Sequence, residues 1–197
     1  MLPSVASYLE KLPGGENAYP DCCVKASVVR HALEARTLGR EVPLPPALRA
    51  LVDRPPPVSV WVPEVLFNAL MIAIREVHFA PGDLDGFLAW VYEQNKRLLS
   101  TPLYRMLFLV VSPERLLVGM EKRWASFRRG TEASLLRFGP NDVEIQVRSP
   151  PNLYAPQSVQ GMATALRATI DCAGARGATV EGSLRSSTEV VYRLRWS

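Results

Sequence analysis

The chain has 197 residues, of which 48% are hydrophobic and 21% charged, and its formal net charge at pH 7 is +4. This composition is ordinary for a globular protein and excludes a chain that is disordered throughout. No window of about 18 residues is both apolar and uncharged, and the start of the chain lacks the features of a signal peptide, so the sequence predicts neither a membrane span nor secretion. Three cysteines without metal-ligand spacing, Cys22, Cys23 and Cys172, favour a reducing cytoplasm.

The first 62 residues predict a proline-rich arm and one helix. Met1–Asp21 shows no clear pattern, whereas Cys22–Thr37 carries apolar side chains at helical spacing. In the linker that follows, Pro46–Val52 predicts a short helix, and the run Pro55–Pro57 favours an extended conformation. This part is too short to bury much apolar surface alone, so we expect a single domain over the whole chain.

Residues 63–127 predict a helical layer, which begins with the most apolar helix of the chain, Pro63–Phe79. Its polar side chains form only a narrow strip, made by Glu64, Asn68, Arg75 and His78. A helix that is apolar on most of its sides is buried in a core or against a partner.

Three more helices are predicted in this layer. Asp83 is the expected N-cap of Leu84–Leu99, whose apolar residues recur at helical spacing. Pro102–Val111 and Pro113–Phe127 each begin with a proline that follows a hydroxyl residue, which is a typical helix start.

The last third of the chain predicts two strand pairs with a helix between them. Thr131–Phe138 and Asp142–Ser149 form the first hairpin, and Ala178–Arg185 and Thr188–Trp196 form the second. Ala155–Ala173 is the intervening helix. No strand–helix–strand series repeats as a parallel sheet requires. The fold class is therefore α+β, with an N-terminal helical layer packed on a C-terminal four-stranded antiparallel sheet that carries one helix (ββαββ).

Several motifs in this last third resemble a known family. They are Trp124–Thr131 (WASFRRGT), Phe138-Gly139-Pro140, Gly161, Ala173-Gly174-Ala175 and Tyr192–Trp196 (YRLRW). Over residues 123–196 the chain resembles the uncharacterised myxobacterial paralogous proteins, a domain of unknown function. Such proteins are distantly similar to haem nitric-oxide-binding domains, vinyl-4-reductase-type ligand domains and small subunits of the transport-particle tether. The resemblance implies a helix-plus-sheet sensor fold that binds a small ligand or a partner protein.

The chain departs from these relatives where cofactor chemistry would be expected. A haem nitric-oxide domain has an axial histidine on a helix and a Tyr-x-Ser-x-Arg motif, but here the histidines are His31 and His78 and the motif does not occur. The sequence also lacks a Gly-x-Ser-x-Gly elbow and any pair of carboxylates at a spacing suited to acid–base catalysis. We predict no catalytic residue, no cofactor and no metal site. The pair Cys22-Cys23 beside Lys25 is either a redox-sensitive site or a pair of incidental thiols.

These observations favour a non-enzymatic cytoplasmic signalling or scaffold protein that acts through protein–protein contacts, with another protein or a second copy of the chain as partner. The alternative is a sensor of a small apolar ligand with a pocket between helices and sheet. The predicted pocket residues are Trp124, Met162, Tyr192 and Trp196.

A second alternative is a nucleic-acid-binding module that uses the basic C-terminal half. From Lys122 onward there are eleven Lys and Arg against six Asp and Glu. The candidate surface for an anionic partner consists of Arg123, Arg128, Arg129, Arg137 and Arg148. The sequence favours this alternative least, because arginines at such positions are also typical of a solvated sheet face.

Overall fold

The computed structural model describes residues 1–101, 104 and 112–197, and it confirms the predicted α+β class. Helices dominate the first two thirds of the chain, and the last third forms the ββαββ unit. The predicted helix Pro102–Val111 lies outside the described residues apart from Tyr104. Within the described ranges, no helix combines the length and hydropathy that a membrane span requires.

The helices of the described residues are α1 (Pro3–Leu9), α2 (Ala26–Ala35), α3 (Pro46–Asp53), α4 (Glu64–His78), α5 (Leu84–Leu99), α6 (Pro113–Val118), α7 (Met120–Phe127) and α8 (Pro156–Cys172). The strands are β1 (Cys23–Lys25), β2 (Trp61–Pro63), β3 (Arg128–Arg129), β4 (Glu132–Phe138), β5 (Asp142–Arg148), β6 (Thr179–Ser186) and β7 (Glu189–Arg195). The predicted cap of α5 is confirmed, because Asp83 Oδ1 accepts a hydrogen bond from the Gly86 backbone over 2.9 Å.

The C-terminal sheet has the strand order β4-β5-β7-β6, and all its neighbouring strands are antiparallel as predicted. Alternate side chains of β5 and β7 form the inner face, and each is at most 1% exposed: Val143, Ile145, Val147, Val190, Tyr192 and Leu194. Helix α8 packs against β6 on this face and against α5. Gly182 of β6 allows the close approach, because a Cβ there would lie 2.7 Å from Val159 Cγ1 of α8.

A second sheet, with the order β2-β1-β3, corrects the prediction for Cys22–Thr37. This segment begins as strand β1, and only Ala26–Ala35 is helical. Strands β1 and β2 pair about Val24 and Val62, and each continues directly into a helix. Such three-residue strands leave no alternating pattern in the sequence, and so they were not predicted.

Strand β3 attaches the C-terminal third to this small sheet. Arg128 pairs with Val24 of β1, and Gly130 follows with a φ of +70°. A Cβ at Gly130 would lie 2.6 Å from the Asp21 carbonyl oxygen, so only glycine permits this approach. Glu64, the first residue of α4, directly follows β2 on the other side of β1. The small sheet therefore brings Arg128 and Glu64 together.

Two further predictions were wrong in detail. Met1–Asp21 is not an arm without structure, because it contains α1, which packs against α4 with Val5 and Tyr8 buried. Pro113–Phe127 is divided at Gly119 into α6 and α7.

Candidate functional site

A short segment between β5 and α8, residues 149–155, is hydrogen-bonded across the boundary between the helices and the sheet; we call it the strap. The Tyr8 hydroxyl and Asn68 Nδ2 both donate to the Leu153 carbonyl, over 2.8 and 3.0 Å. The Tyr154 hydroxyl donates to Glu64 Oε1 over 2.8 Å. The first two residues of the polar strip of α4, Glu64 and Asn68, are therefore buried against the strap. We call this row of contacts between the strap and the helices the polar seam.

The continuation of the strip confirms this arrangement. Arg75 donates to Gln157 Oε1, in the first turn of α8, over 2.9 Å. Two more hydrogen bonds join the strap to the first 21 residues. The Tyr19 hydroxyl donates to the Pro151 carbonyl, and Asn152 Nδ2 donates to the Lys11 carbonyl. The bonds of Tyr8, Asn68 and Tyr154 are buried, and because buried polar groups are expensive to leave unpaired, these three fix the position of the strap.

At one end of the seam lies a buried ion pair between Glu64, which is fully buried, and Arg128, whose side chain is 10% exposed. The guanidinium contacts Glu64 Oε1, and its central carbon lies 5.0 Å from the centre of the Trp124 ring. Glu64 Oε2 has no hydrogen-bond partner among the described residues. Burial raises the pKa of Tyr154 to about 12, against the opposing effect of the Arg128 charge, so this phenol stays a donor at neutral pH.

Three of the four predicted pocket residues lie around this arginine. Arg128 Nη2 lies 3.9 Å from Met162 Sδ, and the guanidinium lies over the Trp124 ring. Burial raises the pKa of Tyr192, and the positive charge of Arg128 partly opposes this rise. Trp196 lies apart from them, about 13 Å farther along β7, and its indole nitrogen donates to Glu114 Oε1 over 3.3 Å. The three clustered residues thus pack around a guanidinium.

The five arginines predicted to bind an anionic partner do not form one surface. Arg128 is the clearest correction, because it is buried against Glu64. Arg123 Nη1 donates to the Leu116 carbonyl over 2.7 Å. Arg129 is exposed, and its guanidinium carbon lies 4.1 Å from the centre of the Trp61 ring.

The remaining two lie on the sheet. Arg137 forms ion pairs with Asp142 and, at 3.8 Å, with Glu144, so its charge is compensated on the solvent face. Arg148 is exposed at the end of β5, where its partner positions across the strands are Glu132 and Glu189. Both sheet arginines therefore have carboxylates on neighbouring positions.

The environment of the adjacent cysteines disfavours their thiolate forms. Cys22 Sγ lies 3.2 Å from the Gly130 carbonyl oxygen, and burial raises the pKa of both the Cys22 and Cys23 thiols. A raised pKa lowers the thiolate fraction, which argues against the redox-sensitive alternative. Across residues 1–101, 104 and 112–197, no group of three or more possible metal ligands occurs.

A cleft of about 280 Å³ lies beside the strap, between the end of α1 and the turn that joins β6 to β7. Its walls include the rings of Tyr8 and Tyr154, and Leu184 of the edge strand β6. Lys11 lies at the same cleft. None of the four predicted pocket residues lines it, but Tyr154 contacts both the cleft and Glu64 of the seam.

Comparison with solved structures finds similar folds among H-NOX proteins. The Fe(II) unliganded H-NOX protein from K. algicida superposes with a TM-score of 0.53 at 9% identity, over 88% of this chain and 96% of that chain. An oxygen-binding H-NOX domain related to soluble guanylate cyclases gives a TM-score of 0.52 at 8% identity, over 87% and 92%. At such identities the likeness shows the fold alone.

The residues present do not fit a histidine-ligated haem. His31 Nε2 lies 2.9 Å from the Gln94 carbonyl oxygen, and His78 Nε2 lies 2.8 Å from the Thr37 carbonyl oxygen. Both rings are thus engaged with backbone away from the polar seam, and they are the only histidines of the sequence. Neither histidine lines the cleft beside the strap, and the Tyr-x-Ser-x-Arg motif does not occur in the sequence.

The sequence comparisons give the family. No curated protein matches the chain. The profile of the family described as "Protein of unknown function (DUF2378)" matches residues 57–197. This range includes the polar seam, apart from the residues of the first 21 positions that contact the strap. The chain therefore belongs to the DUF2378 family.

Proposed function

We propose that this protein is a cytoplasmic, non-enzymatic signalling module that senses a small ligand without haem and passes the change to a protein partner. The observation that carries the proposal is the strap, which is bound to the helices by side chains of α1 and α4 and continues directly into α8. A change at the strap therefore acts on both layers. The H-NOX-like fold supports a sensor class, and the three free thiols support a reducing compartment.

The polar seam is suited to a two-state response. Its ion pair is buried, so its strength depends on the few hydrogen bonds that complete it. Tyr154 supplies one of these, and Tyr154 also lines the cleft. A ligand that shifts Tyr154 alters the contact of Glu64 with Arg128. If the helices and the sheet have two relative positions, the ligand favours the one that it binds more tightly, by the difference between its two affinities.

Hydrogen exchange tests this function. A fragment library is screened by ligand-observed NMR, and the exchange of wild-type protein is then measured by mass spectrometry with and without each fragment that binds. The proposal predicts that at least one fragment changes the exchange of peptides covering residues 149–157 and the start of α4. A library that yields no binder, or binders that leave both peptides unchanged, would contradict it.

A second candidate function, contact with a protein partner independent of any ligand, is favoured by one exposed patch. Val58 and Val60 are exposed beside Trp61, and the Trp61 ring lies 4.1 Å from both the Lys25 ammonium and the Arg129 guanidinium. Apolar and aromatic side chains with an arginine are typical of interface centres.

Site-specific photo-crosslinking in the native host tests this patch. Arg129→Glu should abolish crosslinks formed from position 60, whereas Arg176→Glu, at another exposed arginine, should not. Equal crosslinking by both variants would count against the patch.

A further inference from the structure

The cleft beside the strap has the composition of a binding site for a ligand with an apolar body. The rings of Tyr8 and Tyr154 form buried walls, and their hydroxyls are already engaged, with Leu153 O and Glu64 Oε1. Leu184 completes the lining, and 41% of it is exposed. An apolar ligand would remove this surface from water.

The polar side of the cleft carries one cation. Lys11 lies at the cleft, and within the described part of the chain its ammonium forms no ion pair. Ser187 and Asn152 provide further polar groups at the rim. A single uncompensated ammonium beside an apolar wall matches a ligand with one negative charge.

The volume limits the size of the ligand. At the roughly 30 Å³ that a water-sized group occupies in a liquid, about 280 Å³ accommodates about nine such groups. A carboxylic acid with a short chain or a single ring has this size.

We infer that this cleft binds a small amphipathic monoanion, a monocarboxylate whose apolar body lies between Tyr8, Tyr154 and Leu184 and whose carboxylate lies near Lys11. The inference rests on the proposed function, since this ligand is the input of the sensor. Through Tyr154 the bound molecule touches the side chain that donates to Glu64, and so the cleft is linked to the polar seam.

Binding of heptanoate and its neutral analogue heptanamide, followed by backbone NMR shifts of the full chain, tests the inference. Heptanoate is expected to bind with a Kd below about 1 mM, within the limits for a ligand of this size. Lys11→Gln is expected to weaken heptanoate binding by about two- to fivefold, the range for one exposed charge contact, and to leave heptanamide binding unchanged.

A matched pair of tryptophan variants locates the site. Leu184→Trp should fill the cleft and abolish binding of both probes. Leu136→Trp should not, although Leu136 is also an exposed leucine on an edge strand of the same sheet. Circular dichroism confirms that both variants fold.

Two outcomes would overturn the inference. One is the absence of heptanoate binding up to about 10 mM, far above the expected Kd. The other is binding that survives Leu184→Trp. In either case the fragment screen with its hydrogen-exchange readout still decides whether the chain senses another ligand.

Discussion

Replacing Arg128 by methionine should destabilise the fold by about 3–5 kcal/mol, because it leaves the fully buried carboxylate of Glu64 without its counter-charge. Methionine retains the aliphatic contacts with Trp124 and Met162, so packing loss is a minor part of the change. The variant Glu64→Gln/Arg128→Met should recover most of this loss. Its amide is neutral, and its oxygen still accepts from the Tyr154 hydroxyl.

Urea unfolding followed by circular dichroism measures these free energies. Arg137→Met is the matched control, because Arg137 also forms an ion pair, with Asp142, but on the solvent face with 52% of its side chain exposed. An exposed pair of this kind contributes about 0–1 kcal/mol. A loss below about 1 kcal/mol in Arg128→Met, or a double variant less stable than Arg128→Met, would refute the buried-pair reasoning.

Three other predictions follow from the same contacts. Stability should fall between about pH 10 and 12, because burial raises the pKa of Tyr154 to about 12 in the folded protein, above the tyrosine pKa of the unfolded chain. The neutral phenol therefore contributes its full stabilisation below the unfolded pKa, and this stabilisation is lost as the pH rises through the folded pKa. A urea midpoint that does not change over this range would contradict the prediction. Gly182→Ala should lower the free energy of unfolding by about 1–3 kcal/mol, because its Cβ would lie 2.7 Å from Val159 Cγ1. Gly161→Ala should raise it by about 0.5–1 kcal/mol, because a Cβ at this helical position meets no atom within 4 Å. Thermal unfolding that ranks the two variants the other way would be inconsistent with the packing of α8. Added haem should produce no saturable Soret band, since neither His31 nor His78 lines the cleft and the Tyr-x-Ser-x-Arg motif is absent from the sequence; a stoichiometric band would disprove the haem-free sensor.

The C-terminal sheet was predictable because its pattern is local. Val143, Ile145 and Val147 alternate with polar residues along β5, and the turns lie close in sequence. The helices α4 and α5 were predictable for the same reason, since their periodicity and caps involve neighbouring residues.

The polar seam was not predictable, because its pairs are distant in sequence. Glu64 and Arg128 meet only because β2 and β3 flank the three-residue strand β1, which continues directly into a helix and leaves no strand pattern of its own. One signal was available. Glu64 and Asn68 lie one turn apart on a helix that is otherwise apolar, and a polar residue in such a helix requires a buried partner.

In the proposed mechanism, the cleft and the polar seam are energetically coupled through Tyr154. A decisive measurement is the Kd of heptanoate for the wild type and for Glu64→Met/Arg128→Met, which removes the acceptor of the Tyr154 hydroxyl without leaving a buried charge and leaves the cleft lining unchanged. Coupling of the usual size predicts a change in Kd of about fivefold or more. Equal affinities, within about twofold, in two folded proteins would contradict the claim.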